Sequence, residues 1–214
     1  MWSFHFYTRC NLVKLLGIKA CDQVELLEGL KKVPLSSIYY HTHRFLQQHN
    51  YLSPEPPNDF AYWLTNILKL KDLGELFASV DTIGFEDLED LRQEFLMILN
   101  KYISKEKRIV KCPKGEEFHF MSCITFILPT DYDANNLKEF IEVLEKISVD
   151  SLYFHIFEAR LRLGREEDDF SVWLRGRGKE KLAQEITKLD PYNITLEGLR
   201  KKIIKLVKKY DQHQ

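Results

Sequence analysis

A predominantly α-helical α+β fold, built from two homologous lobes, is predicted by three observations. Shifting the chain against itself by 114 residues aligns Phe4-His5-Phe6 with Phe118-His119-Phe120, and the match runs without a gap to His41 against His155. Along it, Ala20, Glu25, Glu28, Leu30, Lys32, Ser37 and Tyr39 meet Ala134, Glu139, Glu142, Leu144, Lys146, Ser151 and Tyr153. Each matched stretch opens on a β-prone apolar run and continues with apolar residues three and four apart, the period of a helix with one buried face. The expected organisation is a first repeat lobe over 1–103, a linker over 104–115 and a second repeat lobe over 116–214. Each lobe is read as a short strand followed by about five helices, with a pseudo-twofold axis relating the two.

The elements follow in order. Phe4-His5-Phe6-Tyr7 reads as a short strand, and so does Phe118-His119-Phe120 continuing through Ile124-Thr125-Phe126-Ile127-Leu128 to Pro129. Alternation places His5 and His119 on the strand face opposite their flanking phenylalanines, toward solvent or a seam between lobes. Val24 to Leu30 and Leu137 to Leu144 carry helical spacing, and Asp22 and either Asn135 or Asn136 can cap them. A second helix is expected to start at Ser37 and at Ser151, with each serine as the cap. The prolines of Tyr51-Leu52-Ser53-Pro54-Glu55-Pro56-Pro57 make a loop, which the second lobe shortens by four residues. The match resumes at Asp59-Phe60-Ala61-Tyr62-Trp63-Leu64 against Asp169-Phe170-Ser171-Val172-Trp173-Leu174, where the aspartate reads as a capping carboxylate before two aromatics on one face. Asp87 and Thr195 occupy the cap position of a last helix.

Composition bounds the function. With 44% hydrophobic and 29% charged residues and a formal net charge of -1, the chain has the balance of a globular protein with a sizeable core. That balance argues against a surface built as a whole for nucleic acid or an anionic membrane. No apolar run approaches a membrane span and the first residues do not read as a signal peptide, so a cytoplasmic protein is expected. Cys10, Cys21, Cys112 and Cys123 form no C-x-x-C pair and do not superpose between lobes, so they are expected to be reduced, mostly core residues. No phosphate loop, nucleophile elbow or H-E-x-x-H is present. No cofactor is implied.

The doubled polar and aromatic residues are the candidates. His41 and His155 can act as general bases or metal ligands; the commoner role is a partly buried imidazole hydrogen-bonded to a carboxylate on the next helix, with Asp59 and Asp169 as the matching partners. His41 and His43 diverge by about 200° on a helix and share an ion only if the helix is broken. His155 and Glu158, three apart, have better ligand spacing, yet Glu158 aligns with Arg44 and exists in one lobe only. Tyr39, Tyr153, Trp63 and Trp173 are candidates to line an apolar cleft for a sugar or peptide, against the commoner role of aromatics as core.

Charge separates the lobes. Residues 65–103 carry a net of -4 and residues 175–214 a net of +6. The lysines at 201, 202, 205, 208 and 209 form a basic helix face without interleaved aromatics, which points away from specific nucleic-acid binding. Opposite-signed faces suit a charged protein partner or self-association.

The strings Ser36-Ser37-Ile38-Tyr39-Tyr40-His41-Thr42-His43, Asn58-Asp59-Phe60-Ala61-Tyr62-Trp63 and Ser151-Leu152-Tyr153-Phe154-His155-Ile156-Phe157-Glu158-Ala159-Arg160, with Leu128-Pro129-Thr130 and Asp190-Pro191-Tyr192, resemble a prokaryotic family known only as a domain of unknown function. The likeness covers nearly the whole chain and implies no catalytic or binding residue. It implies a neighbourhood of carbohydrate-metabolism genes. The half-motif, a helix holding the histidine followed by Asn-Asp-Phe and Trp, is similar to small uncharacterised modules that carry one copy, and the chain departs from it at Asp168-Asp169, where the first lobe has Asn58-Asp59. The expectation is a non-catalytic binding or scaffold module. The alternative is a small-molecule, sugar-linked enzyme or metal protein centred on His155/Glu158 and His41/His43.

Overall fold

The computed structural model describes residues 2–49, 57–106, 108–159, 161, 167–189 and 194–211. Two strands, β1 (Phe4–Ala20) and β2 (Phe118–Ala134), form an antiparallel two-stranded ribbon, with Thr130 Oγ1 donating to the Phe6 carbonyl near one end and Lys19 facing Glu117 near the other. After β1 come α1 (Gln23–Lys32), α2 (Leu35–Tyr39), a π-helical turn (Tyr40–Arg44), α3 (Phe45–His49), α4 (Asp59–Asn66), α5 (Lys71–Ala78) and α6 (Leu88–Lys105). After β2 come α7 (Leu137–Leu144), α8 (Val149–Tyr153), a second π-helical turn (Phe154–Glu158), α9 (Asp169–Gly176), α10 (Glu180–Thr187) and α11 (Leu196–Asp211). The loop expected at 51–57 and the string Asp190-Pro191-Tyr192 fall largely outside the described residues.

Both strands are 17 residues long, far beyond the short runs expected. Two residues hid this. Gly17, with φ +74°, holds a left-handed conformation that in sequence reads as a strand end, although burial alternates through it from Leu16 to Ala20. Pro129 lies inside β2 rather than ending it. The Met121 N–H points away from β1, and Pro129 lies eight residues on along the same edge, so the ladder does not need its missing N–H.

The chain divides into two compact units: a first unit, Asn11–Ile124, and a second unit, Met1–Cys10 with Thr125–Gln214. The core of the first unit sets Phe118 and Phe120 of β2 against Leu26 and Leu30 of α1, Phe60 and Trp63 of α4, Phe77 of α5 and Phe95 of α6. In the second unit, Phe4 of β1 meets Phe140 at 5.9 Å and Phe170 at 5.3 Å, and Trp173 stacks on Phe140. The helices of the linear lobes 1–103 and 116–214 thus fall in separate units, but the opening residues of each strand are exchanged. Geometry explains this. Antiparallel pairing lays Phe6 beside the end of β2, from which α7 starts directly.

Local chemistry fixes the helix ends. Asp22 accepts from the Val24 and Glu25 amides while Glu25 accepts from the Cys21 amide; Asn136 accepts from Glu139 while Glu139 accepts from the Asn135 amide. These reciprocal caps satisfy amide donors at the starts of α1 and α7. Asp87 and Thr195 cap α6 and α11 as expected. Ser37 and Ser151 do not cap: α2 follows Pro34, and α8 follows Ser148, whose hydroxyl accepts from the Ser151 amide. Nor do Asp59 and Asp169, because Asn58 and Asp168 take the cap and leave the following carboxylates available. A Cβ at Gly29 would lie 2.2 Å from the Phe120 ring, so α1 sits flat on β2 only because that position has no side chain. Within the expected linker, α6 continues to Lys105 and the buried Gln23 amide brackets the chain beyond it, donating to the Arg108 carbonyl and accepting from the Val110 amide.

Candidate functional site

His41 lies in the first π-helical turn and is 1% exposed. Its Nδ1 is 2.6 Å from Asp59 Oδ2, and its Nε2 is 2.9 Å from the Met121 backbone nitrogen. An amide can only donate, so Nε2 is the acceptor and Nδ1 carries the proton given to the carboxylate. His155, in the second π-helical turn and 2% exposed, has Asp169 Oδ2 at 2.7 Å from Nδ1 and the Tyr7 amide at 2.8 Å from Nε2. Each imidazole joins a helical turn, the first residue of a later helix and the outer edge of a strand. Phenylalanine rings close over both: Phe118 and Phe60 around His41, Phe4 and Phe170 around His155.

Chemically, these rings hold a strand in register. A general base needs a free nitrogen lone pair and a metal ligand needs one aimed at the ion. In both rings the lone pair faces a strand amide and the proton faces a carboxylate. Ser151 adds a third tie in the second unit, donating to the Tyr7 carbonyl at 2.6 Å. In the first unit Ser36 meets Ser122 at 2.7 Å.

The other candidates disperse. His43 Nδ1 lies 3.0 Å from the Thr42 hydroxyl, and its ring stacks on Tyr39 at 5.6 Å. Glu158 does not join His155 in a metal pair; it forms a buried ion pair with Arg9, whose guanidinium lies over the Tyr153 ring. Arg9 was missed by the sequence reading, although a signal existed: Arg9 and Glu158 align with Cys123 and Arg44, so both partners of the pair change together. Burial pushes the Tyr40 hydroxyl above the usual phenol range, with Asp59 and Cys123 adding to the rise and Arg44 opposing it. Trp63 and Trp173 are core residues, and their indole N–H groups donate to the Glu116 and Trp2 carbonyls. His5 and His119 face solvent, His5 beside Asp133.

Among the described residues, no group of three or more His, Cys, Asp or Glu is placed to hold a metal ion. Nor is any helix among them long and apolar enough to cross a membrane. Two surface concavities stand out. In the first unit a cavity of about 520 Å³ between α5 and α6 is lined by Asp72, Leu76, Glu94, Met97, Lys101 and Tyr102. In the second, one of about 470 Å³ along α11 is lined by Glu145, Arg200, Lys201, Ile204, Lys205 and Lys208.

No curated protein matches the chain. Its fold is similar to the solved structure of OrfY from Thermoproteus tenax, with a TM-score of 0.81 and 24% identity over 99% of this chain and 96% of that one. Residues 1–208 match the family of unknown function DUF5752, and the chain belongs to that family.

Proposed function

We propose that this chain is a duplicated, non-catalytic binding or scaffold protein of the cytoplasm, in which the doubled histidines hold strands to helices and the exposed helix faces engage a protein partner. The carrying observation is the double occupancy of His41 and His155, each with one nitrogen given to Asp59 or Asp169 and the other to a strand amide. That the aligned imidazoles make the same two bonds supports descent of both halves from one unit. The partner surface is the α5/α6 cavity, where Leu76 and Met97 are 47% and 57% exposed beside Asp72 and Glu94, with the basic face of α11 as its opposite-signed counterpart.

The test separates scaffold from surface. His41→Ala and His155→Ala leave a strand amide and a partly buried carboxylate without their partner and are expected to cost about 2–4 kcal/mol in thermal or urea unfolding. Leu76→Asp with Met97→Asp is expected to leave melting unchanged and to abolish partner capture from a host lysate. Stoichiometric zinc, iron or manganese in the purified protein, lost in His155→Ala, would overturn this reading and favour the metal or enzyme alternative.

A further inference from the structure

Cys21 and Cys112 are 91 positions apart, yet they lie together in the first unit. Cys21 occupies the bend between β1 and α1, Cys112 lies in the irregular segment before β2, and the Cys112 amide donates to the Cys21 carbonyl at 2.7 Å. The two thiols also act on one another, with Cys21 helping to raise the Cys112 thiol. Both are half-buried and both are free thiols. The surroundings are well anchored. Glu25 accepts from the Cys21 amide, and Gln23, 1% exposed, holds residues 108 and 110 through both ends of its amide. Backbones joined by one such bond fall within the roughly 4.4–6.8 Å Cα separation that a disulfide spans.

We propose that Cys21 and Cys112 form a redox-labile disulfide, made by a low-molecular-weight disulfide oxidant, that ties the helices of the first unit into one covalent loop. The step balances. The Cys21 thiolate attacks a sulfur of the oxidant, giving a mixed disulfide and one small thiol after protonation. The Cys112 thiolate then displaces the second small thiol from Cys21 Sγ, so two protein thiols are oxidised and one oxidant disulfide becomes two thiols. Partial burial pushes both thiols up; after burial, Glu25 acts most on Cys21, and Cys21 and Glu117 on Cys112, while Lys19 opposes the rise at Cys21. The reaction is therefore slow at neutral pH and accelerates as pH rises toward the thiol range. The loop closed runs from the start of α1 to beyond the end of α6.

The experiment uses the whole reduced protein with oxidised glutathione at pH 8. Titratable thiols are expected to fall from four to two, peptide mapping to recover a Cys21–Cys112 cross-link, and the melting temperature to rise by about 10 °C or more, reversibly with dithiothreitol. Cys112→Ser is expected to lose all three effects, while Cys10→Ser with Cys123→Ser keeps them. Four remaining thiols, a glutathione adduct resting on Cys21, or dimers linked through the exposed Cys10 would each overturn the proposal.

Discussion

At the scale of single residues, the two units solve one hydrogen-bonding problem with different side chains. Asn58 caps α4 through its oxygen and donates through its amide to the Phe77 carbonyl at 2.9 Å. Asp168 caps α9 the same way but has no donor; at the position of Ala61, Ser171 supplies one, giving its hydroxyl to Asp168 and lying 3.2 Å from the Ala183 carbonyl. Asn58→Asp alone is expected to destabilise by about 2–3 kcal/mol, because a carboxylate would face a buried carbonyl. Adding Ala61→Ser should recover about 1–2 kcal/mol of it in a double-mutant cycle by urea unfolding. Strictly additive effects would count against the coupling. The change at Asp168 was visible in the sequence; its compensation was not, because Ser171 reads as an ordinary helix residue until the two are seen in contact. For the histidines, pairing with Asp59 and Asp169 was legible because both partners are doubled. The bonds to Met121 and Tyr7 were not, since a backbone amide leaves no mark in a sequence.

At the scale of elements, the caps carry a pH signature. Glu139 is lowered from the ordinary carboxylate value, first by the Asn135 backbone amide and then by the Asn135 and Asn136 side chains. A depressed carboxyl contributes stability that is present above its unfolded value and lost as pH falls through its folded one. Acidification from about pH 5 to pH 3 is thus expected to lower the melting temperature less in Glu139→Gln than in the parent, as calorimetry would show. An equal slope would mean that α7 does not depend on this cap. Helix periodicity and the D-x-x-E and N-x-x-E spacings made α1 and α7 legible. The ribbon was misjudged because strand length depends on cross-strand pairing, which Gly17 and Pro129 disguise in a single chain. The π-helical turns left no readable cue either: they arise where a helix must bring a histidine to a strand edge, a tertiary demand.

At the scale of the whole molecule, exchange of the strand ends decides which helices a mutation reaches. Phe4→Ala removes a ring packed against Phe140, Phe170 and Trp173. It is expected to cost about 3–5 kcal/mol and to lower hydrogen-exchange protection in α7 to α11, more than a hundred residues away, before α1 to α6 are affected. Loss of protection in α1 instead would restore the linear reading of the lobes. The same arrangement imposes an order on folding as the chain leaves the ribosome. Segment 11–124 can complete its core soon after Phe118 and Phe120 emerge. Phe4 and Phe6, made before segment 11–124, cannot be buried until Phe140, Phe170 and Trp173 have been made. The opening of β1 thus waits for partners synthesised more than a hundred residues later.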